Sequence, residues 1–213
     1  MSSLDCLEGC AEPLGSPLQT FAGLIRTLNA SDELDKERIE GILSTLKLEL
    51  TEINRFSHYS TQKDLPYTRN LVHEDGRGRF SLLCICWNPG FESKIHSHPV
   101  EGCFVVPLRG TICETLYYLE TNGTVRESEM RTYSADKPGV SYMADSLGVV
   151  HKIANPSSCT SAVTLHLYCP SYNRCRVWAA GPMGQSEERT LSFFSRYGIR
   201  DADEAMFDLD YFI

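Results

Sequence analysis

From Pro66 onward the chain is written in short runs rich in β-branched and aromatic residues, and that rhythm constrains the fold more than any other feature. Residues 80–87, 103–108, 111–119, 140–144, 149–154, 162–168 and 190–195 read as strands. Asp75-Gly76 and Asn122-Gly123 are strong turn signals, the second between two strand-like runs. Many short strands at such spacing predict a mainly β fold, a small sandwich or barrel over residues 66–200. The first 60 residues have a different period. Ser16-Pro17 reads as a helix start, with Leu18, Phe21, Leu24, Ile25 and Leu28 as its apolar stripe. Ser31 and Asp32 read as the opening of a second helix, striped by Ile39, Ile42, Leu43 and Leu46. Residues 201–213, acidic but carrying Met206, Phe207, Leu209, Tyr211 and Phe212, are expected to pack as a flap. At 213 residues the whole is expected to be one domain.

Charge excludes some functions. The formal net charge is −8 with no run of Lys or Arg, whereas phosphate binding needs a concentrated basic face. Neither nucleic acid nor a membrane surface is an expected partner. The N-terminus lacks the basic start and apolar stretch of a signal peptide, and no run of about 18 apolar residues occurs. Nine cysteines, an odd number without a CxxC pair, argue against a zinc ribbon or a secreted disulfide framework. A reducing, cytoplasmic location is expected.

Four of the six histidines fall in strand-rich regions. His96-Ser97-His98 is the sharpest local feature, because residues i and i+2 of a strand point the same way and two imidazoles can then converge on one ion. A pair of surface histidines at a strand end is the alternative. Gly90 stands six residues before His96 and Gly110 twelve after His98, and Gly148-Val149-Val150-His151 runs on to Asn155. Together these resemble the two cupin signatures, G-x5-H-x-H-x4-E-x6-G and G-x2-H-x3-N. The resemblance implies a cupin jelly-roll β-barrel with N-terminal α-helices, and one metal held by His96, His98 and His151. Where the signature has its glutamate ligand this chain has Cys103. Three neutral imidazoles leave the +2 charge of a divalent metal uncompensated, which favours an anionic ligand such as a thiolate. Glu101 is a conceivable fourth ligand, but it sits two positions early beside Pro99 and Gly102, and a solvated turn carboxylate is the expected role.

Further motifs narrow the family. Tyr67-Thr68-Arg69-Asn70-Leu71-Val72, the His96-Ser97-His98 turn leading to Cys103, Asp145-Ser146-Leu147-Gly148, Leu165-His166-Leu167-Tyr168 and Tyr197-Gly198-Ile199-Arg200 resemble cysteine dioxygenase, a thiol-dioxygenase branch of the cupins. The resemblance implies that Fe(II) is the cofactor and that L-cysteine and dioxygen (O2) are the substrates, the product being cysteine sulfinic acid. It implies that Arg69 holds the substrate carboxylate with Tyr67 beside it, a task that suits a guanidinium fork. It also implies that His166 orients the hydroxyl of Tyr168, and that Cys103 and Tyr168 can join in a thioether. Thr164 stands where the family has a serine, keeping a hydroxyl, and Cys175 matches a cysteine at the pocket edge. A cis bond is compatible with Cys169-Pro170, and a monomer is expected. Imidazole alone suits zinc, copper, nickel and iron alike, so iron rests on the resemblance. The rival readings are a dioxygenase for 3-mercaptopropionate, which usually has glutamine at the Arg69 position, one for N-terminal cysteine, and a non-catalytic cupin that binds a metal or small thiol.

Overall fold

The computed structural model describes residues 17–62, 64–137, 139–178 and 186–200. Ser16 and the expected flap at 201–213 lie outside them. Among the described residues three helices come first, α1 (Phe21–Asn29), α2 (Lys36–Ser44) and α3 (Leu50–Arg55). Both expected helices start later than the sequence predicts. Thr20 caps α1, its hydroxyl accepting from the Gly23 amide at 3.0 Å. Leu18 instead bridges to Leu46, with the Lys47 amide donating to the Leu18 carbonyl at 2.9 Å. Asp35 caps α2, accepting from the Arg38 amide at 2.8 Å. Ser31, read as an opening residue, is buried and accepts from Arg38 Nε at 2.9 Å. The apolar stripes were correctly placed for Phe21, Leu24, Leu28, Ile39, Ile42 and Leu43, all buried. Among the described residues no helix is long and apolar enough to cross a membrane.

The strands are β1 (Tyr67–Glu74), β2 (Ser81–Trp87), β3 (Ile95–His96), β4 (Gly102–Arg109), β5 (Thr111–Leu119), β6 (Val125–Ser134), β7 (Ser141–Met143), β8 (Val149–Ala154), β9 (Ala162–Cys169), β10 (Arg174–Trp178), β11 (Ser186–Thr190), β12 (Ser195–Arg196) and β13 (Ile199–Arg200). They form one sheet in the order β13-β12-β1-β2-β9-β4-β7 and a second in the order β11-β10-β3-β8-β5-β6. The strand expected over 190–195 is instead the join between β11 and β12. Its amides leave the ladder for other elements: Leu191 donates to the Asn173 carbonyl at 2.8 Å and Phe194 to that of Arg69 at 2.7 Å.

The first sheet is buried on both faces. Leu82, Cys84, Cys86, Val163, Leu165 and Leu167 pack with the three helices in one core. The opposite face, with Leu83, Ile85, Trp87, Cys103, Val105 and Tyr168, packs with Ile112, Ile153, Cys175 and Val177 of the second sheet. That inner layer is the interior of a cupin jelly roll, mainly β as expected. Gly102 opens β4 at φ 110, and a Cβ there would lie 2.5 Å from the Tyr142 ring and 2.8 Å from the Met143 carbonyl. Only glycine brings the chain this close to β7 and so delivers Cys103 to the barrel interior.

Candidate metal centre

His96 ends β3 and faces His151 of β8 as its direct antiparallel partner. His98 follows two residues later, the spacing that keeps both rings on one side. The ring centroids lie 4.8 Å (His96–His98), 4.8 Å (His96–His151) and 4.4 Å (His98–His151) apart. One ligand nitrogen from each lies within 4.8 Å of the others, and all three residues are buried. The rings thus come from three backbone positions to one point.

Their chemistry suits a cation. Burial pushes the pKa of His96 and His98 well below the usual imidazole value, with His151 beside both adding to the effect. A neutral ring offers a lone pair. His96 Nδ1 lies 2.9 Å from the Lys94 carbonyl, to which it donates, leaving Nε2 for the shared point. His151 Nδ1 lies 2.6 Å from Glu114 Oε1 in the same sense. His151 Nε2 and both nitrogens of His98 are buried without a hydrogen-bond partner. Buried imidazole nitrogens left unpaired in this way are costly in an empty core, and a lone pair among them is natural around a metal ion. The three histidines form a metal-binding site. Glu101 is exposed and outside the trio, as its turn context predicts.

Sequence reasoning missed Glu114. It lies on β5, 0% exposed, with Ser141 Oγ 2.7 Å from each carboxylate oxygen. Burial opposes its charge, but the hydrogen bonds from His151 and Ser141 outweigh that and hold the carboxyl below its usual range. A signal existed: Glu114 shares a strand face with buried Ile112 and Leu116, two residues away on either side, so an acid occupies an inward position.

β9 supplies the second wall. Thr164, His166 and Tyr168 do not face water, since every residue of β9 is buried. Thr164 Oγ1 lies 2.8 Å from His166 Nε2, and Tyr168 Oη lies 3.2 Å from His166 Nδ1. Trp87, also missed, donates its indole N–H to Thr164 Oγ1 at 2.9 Å. Cys103 pairs directly with Tyr168 across β4 and β9, its sulfur 3.7 Å from His166 Nδ1. Burial raises the pKa of Cys103 well above the usual thiol value, helped by Cys169, and that of Tyr168 well above the usual phenol value, helped by Tyr172 and Cys103. Both hold their protons at neutral pH. The Cys169-Pro170 bond that follows is cis.

Arg69 and Tyr67 project from β1 beside this wall. Arg69 is 3% exposed, lies 5.9 Å from the Tyr168 ring centroid and 5.8 Å from that of Phe193, and leaves Nε and Nη1 without partners. Burial works to lower its pKa, but Tyr168, Tyr172, Tyr67 and Cys175 around it raise it on balance. Tyr67 packs against Trp87 with centroids 4.7 Å apart. A small cavity opens between Tyr67, Trp87, His96, His166 and Tyr168. A larger open groove of about 670 Å³, lined by Asp35, Lys36, Arg79, Glu101 and Tyr142, holds none of the histidines.

Comparison with known proteins agrees with this geometry. Residues 12–180 match the family described as cysteine dioxygenase type I. Cysteine dioxygenase type 1 of Homo sapiens is 34% identical over 188 residues, covering 85% of this chain and 90% of the relative. The Danio rerio protein of that name is 32% identical over 186 residues, with the same shares covered. The chain belongs to the cysteine dioxygenase type I family of the cupins and is a dioxygenase.

Proposed function

We propose that the protein oxidises the thiol of free L-cysteine to the sulfinate, with dioxygen as oxidant and Fe(II) held by His96, His98 and His151. Arg69 carries this reading. The groups that weigh most on its charge are three phenols and a thiol, none a carboxylate. A buried cation with two unused donors calls for an anion with two acceptors, and a carboxylate meets the fork in parallel. A small thiol acid anchored there by its carboxylate keeps its sulfur free for the metal.

The overall change is RSH + O2 → RSO2H. Sulfur is oxidised, dioxygen is reduced, and no further reductant is needed. When bound, Fe(II) supplies the charge that keeps the substrate thiol as thiolate and the redox partner for dioxygen. The chain's own residues do the rest. Arg69 fixes the carboxylate, with Tyr67 packed beside it. Trp87 can only donate, which permits one continuous direction: indole N–H to Thr164, Thr164 hydroxyl to His166 Nε2, and His166 Nδ1–H to Tyr168. The phenol proton of Tyr168 is then available to substrate or oxidant. Cys103, opposite Tyr168, is positioned for a thioether to its ring, an oxidation that removes one hydrogen from each partner with dioxygen as acceptor. Cys175, which bears on the Arg69 charge, is assigned to the pocket edge. The buried free thiols Cys84, Cys86 and Cys169 fit a reducing cytoplasm, and a monomer completes the proposal.

The test is anaerobic loading with Fe(II), then oxygen uptake and product mass with L-cysteine, 3-mercaptopropionate and a peptide bearing N-terminal cysteine. Uptake with L-cysteine and a product two oxygen atoms heavier is expected. Preference for either other thiol moves the assignment to that substrate, and cysteine binding without oxygen uptake indicates a metal or thiol store.

A further inference from the structure

The family signature's ligand carboxylate is absent from the histidine trio, yet a carboxylate lies directly behind it. Glu114 Oε1 accepts from His151 Nδ1 at 2.6 Å, on the side of the ring opposite the shared point. Ser141 Oγ lies 2.7 Å from both carboxylate oxygens and pins the group from β7. We infer that Glu114 is a positioning residue for the metal: it fixes His151 in its Nδ1–H form and supplies, one ring away, the negative charge that three neutral imidazoles lack.

Two observations carry this beyond simple proximity. The first is cost. Glu114 is fully buried on β5 between Ile112 and Leu116, where an apolar side chain would fill the barrel without desolvating an ion. Its closest partners, an imidazole N–H and a hydroxyl, are neutral when His151 serves as a ligand, so the balancing cation is the one His151 holds. The second is asymmetry. His96 is backed by a backbone carbonyl at 2.9 Å, while neither ring nitrogen of His98 is paired among the described residues. Of the three, His151 alone is backed by a carboxylate, which makes it the most firmly oriented ligand. His98 is correspondingly the ligand freest to turn.

The inference depends on the three-histidine site and not on which thiol is oxidised, so a Zn(II) probe without substrate tests it separately. Zn(II) affinity is measured by chelator competition for the parent, Glu114→Gln and Ser141→Ala, with the melting temperature of each metal-free form. Glu114→Gln is expected to bind Zn(II) about 10- to 100-fold more weakly, with Ser141→Ala losing less. In nitrogen-15 imidazole spectra of the Zn(II)-loaded parent, His151 is expected to carry its proton on Nδ1, far downfield, and that resonance to move upfield in Glu114→Gln. Unchanged affinity in Glu114→Gln, even with a lower melting temperature, would assign Glu114 a purely structural role and overturn the inference. Should that variant not fold, the parent spectrum decides alone: a His151 proton on Nε2 overturns it as well.

Discussion

Arg69 brings a permanent charge into the barrel with 3% of its surface exposed and, among the described residues, no group to use Nε or Nη1. Such a residue costs the ligand-free protein stability and returns it on binding, so the two effects separate in a variant. Arg69→Met is expected to leave the ligand-free protein at least as stable as the parent, because an unpaired buried charge has gone. The same change is expected to raise KM for L-cysteine by about 10- to 100-fold, since hydrogen bonds to charged groups contribute about 1.5–3 kcal/mol. Iron content should not change, because the three histidines are intact. Urea unfolding, iron assay and oxygen uptake against cysteine concentration give the three numbers. Destabilisation with unchanged KM would make Arg69 a structural residue.

β9 shows at the scale of one element how alternation is converted into function. Val163, Leu165 and Leu167 enter the helix-side core, while Thr164, His166 and Tyr168 enter the barrel. Thr164→Val keeps the shape but strands the Trp87 N–H and His166 Nε2, each in the interior. The loss is expected to be about 1–3 kcal/mol of stability, measured by denaturant midpoint, together with lower kcat at unchanged iron content. Thr164→Ser keeps the hydroxyl and should recover most of both. This strand was legible in the sequence because its period is local. So were the His96-Ser97-His98 pair, the Asn122-Gly123 hairpin and the helical stripe that buries Phe21 and Leu24. Glu114 and Trp87 were not singled out, because their importance lies in partners 37 and 77 residues away that only sheet register brings near. Helix starts were misplaced for a related reason. Ser16-Pro17 has the right chemistry, but the pairing of Leu18 with Leu46 holds the chain extended until Thr20. The run at 190–195 has strand composition, yet its amides serve Asn173 and Arg69 across the fold.

For the molecule as a whole, the barrel holds His96, His98 and His166 as neutral imidazoles, and this couples stability to pH. His96, His98 and His166 are buried, and burial, with His151 nearby, holds each well below the ordinary imidazole pKa. Unfolding returns them to about 6.5. The unfolded chain therefore binds more protons than the folded one below that value, so stability is complete above about pH 6.5 and is lost as pH falls through it. Each histidine contributes a slope of up to about 1.4 kcal/mol per pH unit, and the three together up to about 4 kcal/mol per unit in the metal-free protein. Carboxylates with lowered pKa, such as Glu114 and Asp75, act in the same direction but at more acid pH. The region from pH 6.5 to 5.5 thus isolates the histidines. Denaturant midpoints of the metal-free protein should be flat from pH 7.5 to 7 and fall steeply between pH 6.5 and 5.5. Replacing His166 with Gln should reduce the slope by about one third while leaving the three metal ligands in place. A midpoint that holds constant down to pH 5.5 would mean that these rings take up protons in the folded state as readily as in the unfolded one, against the effect of their burial.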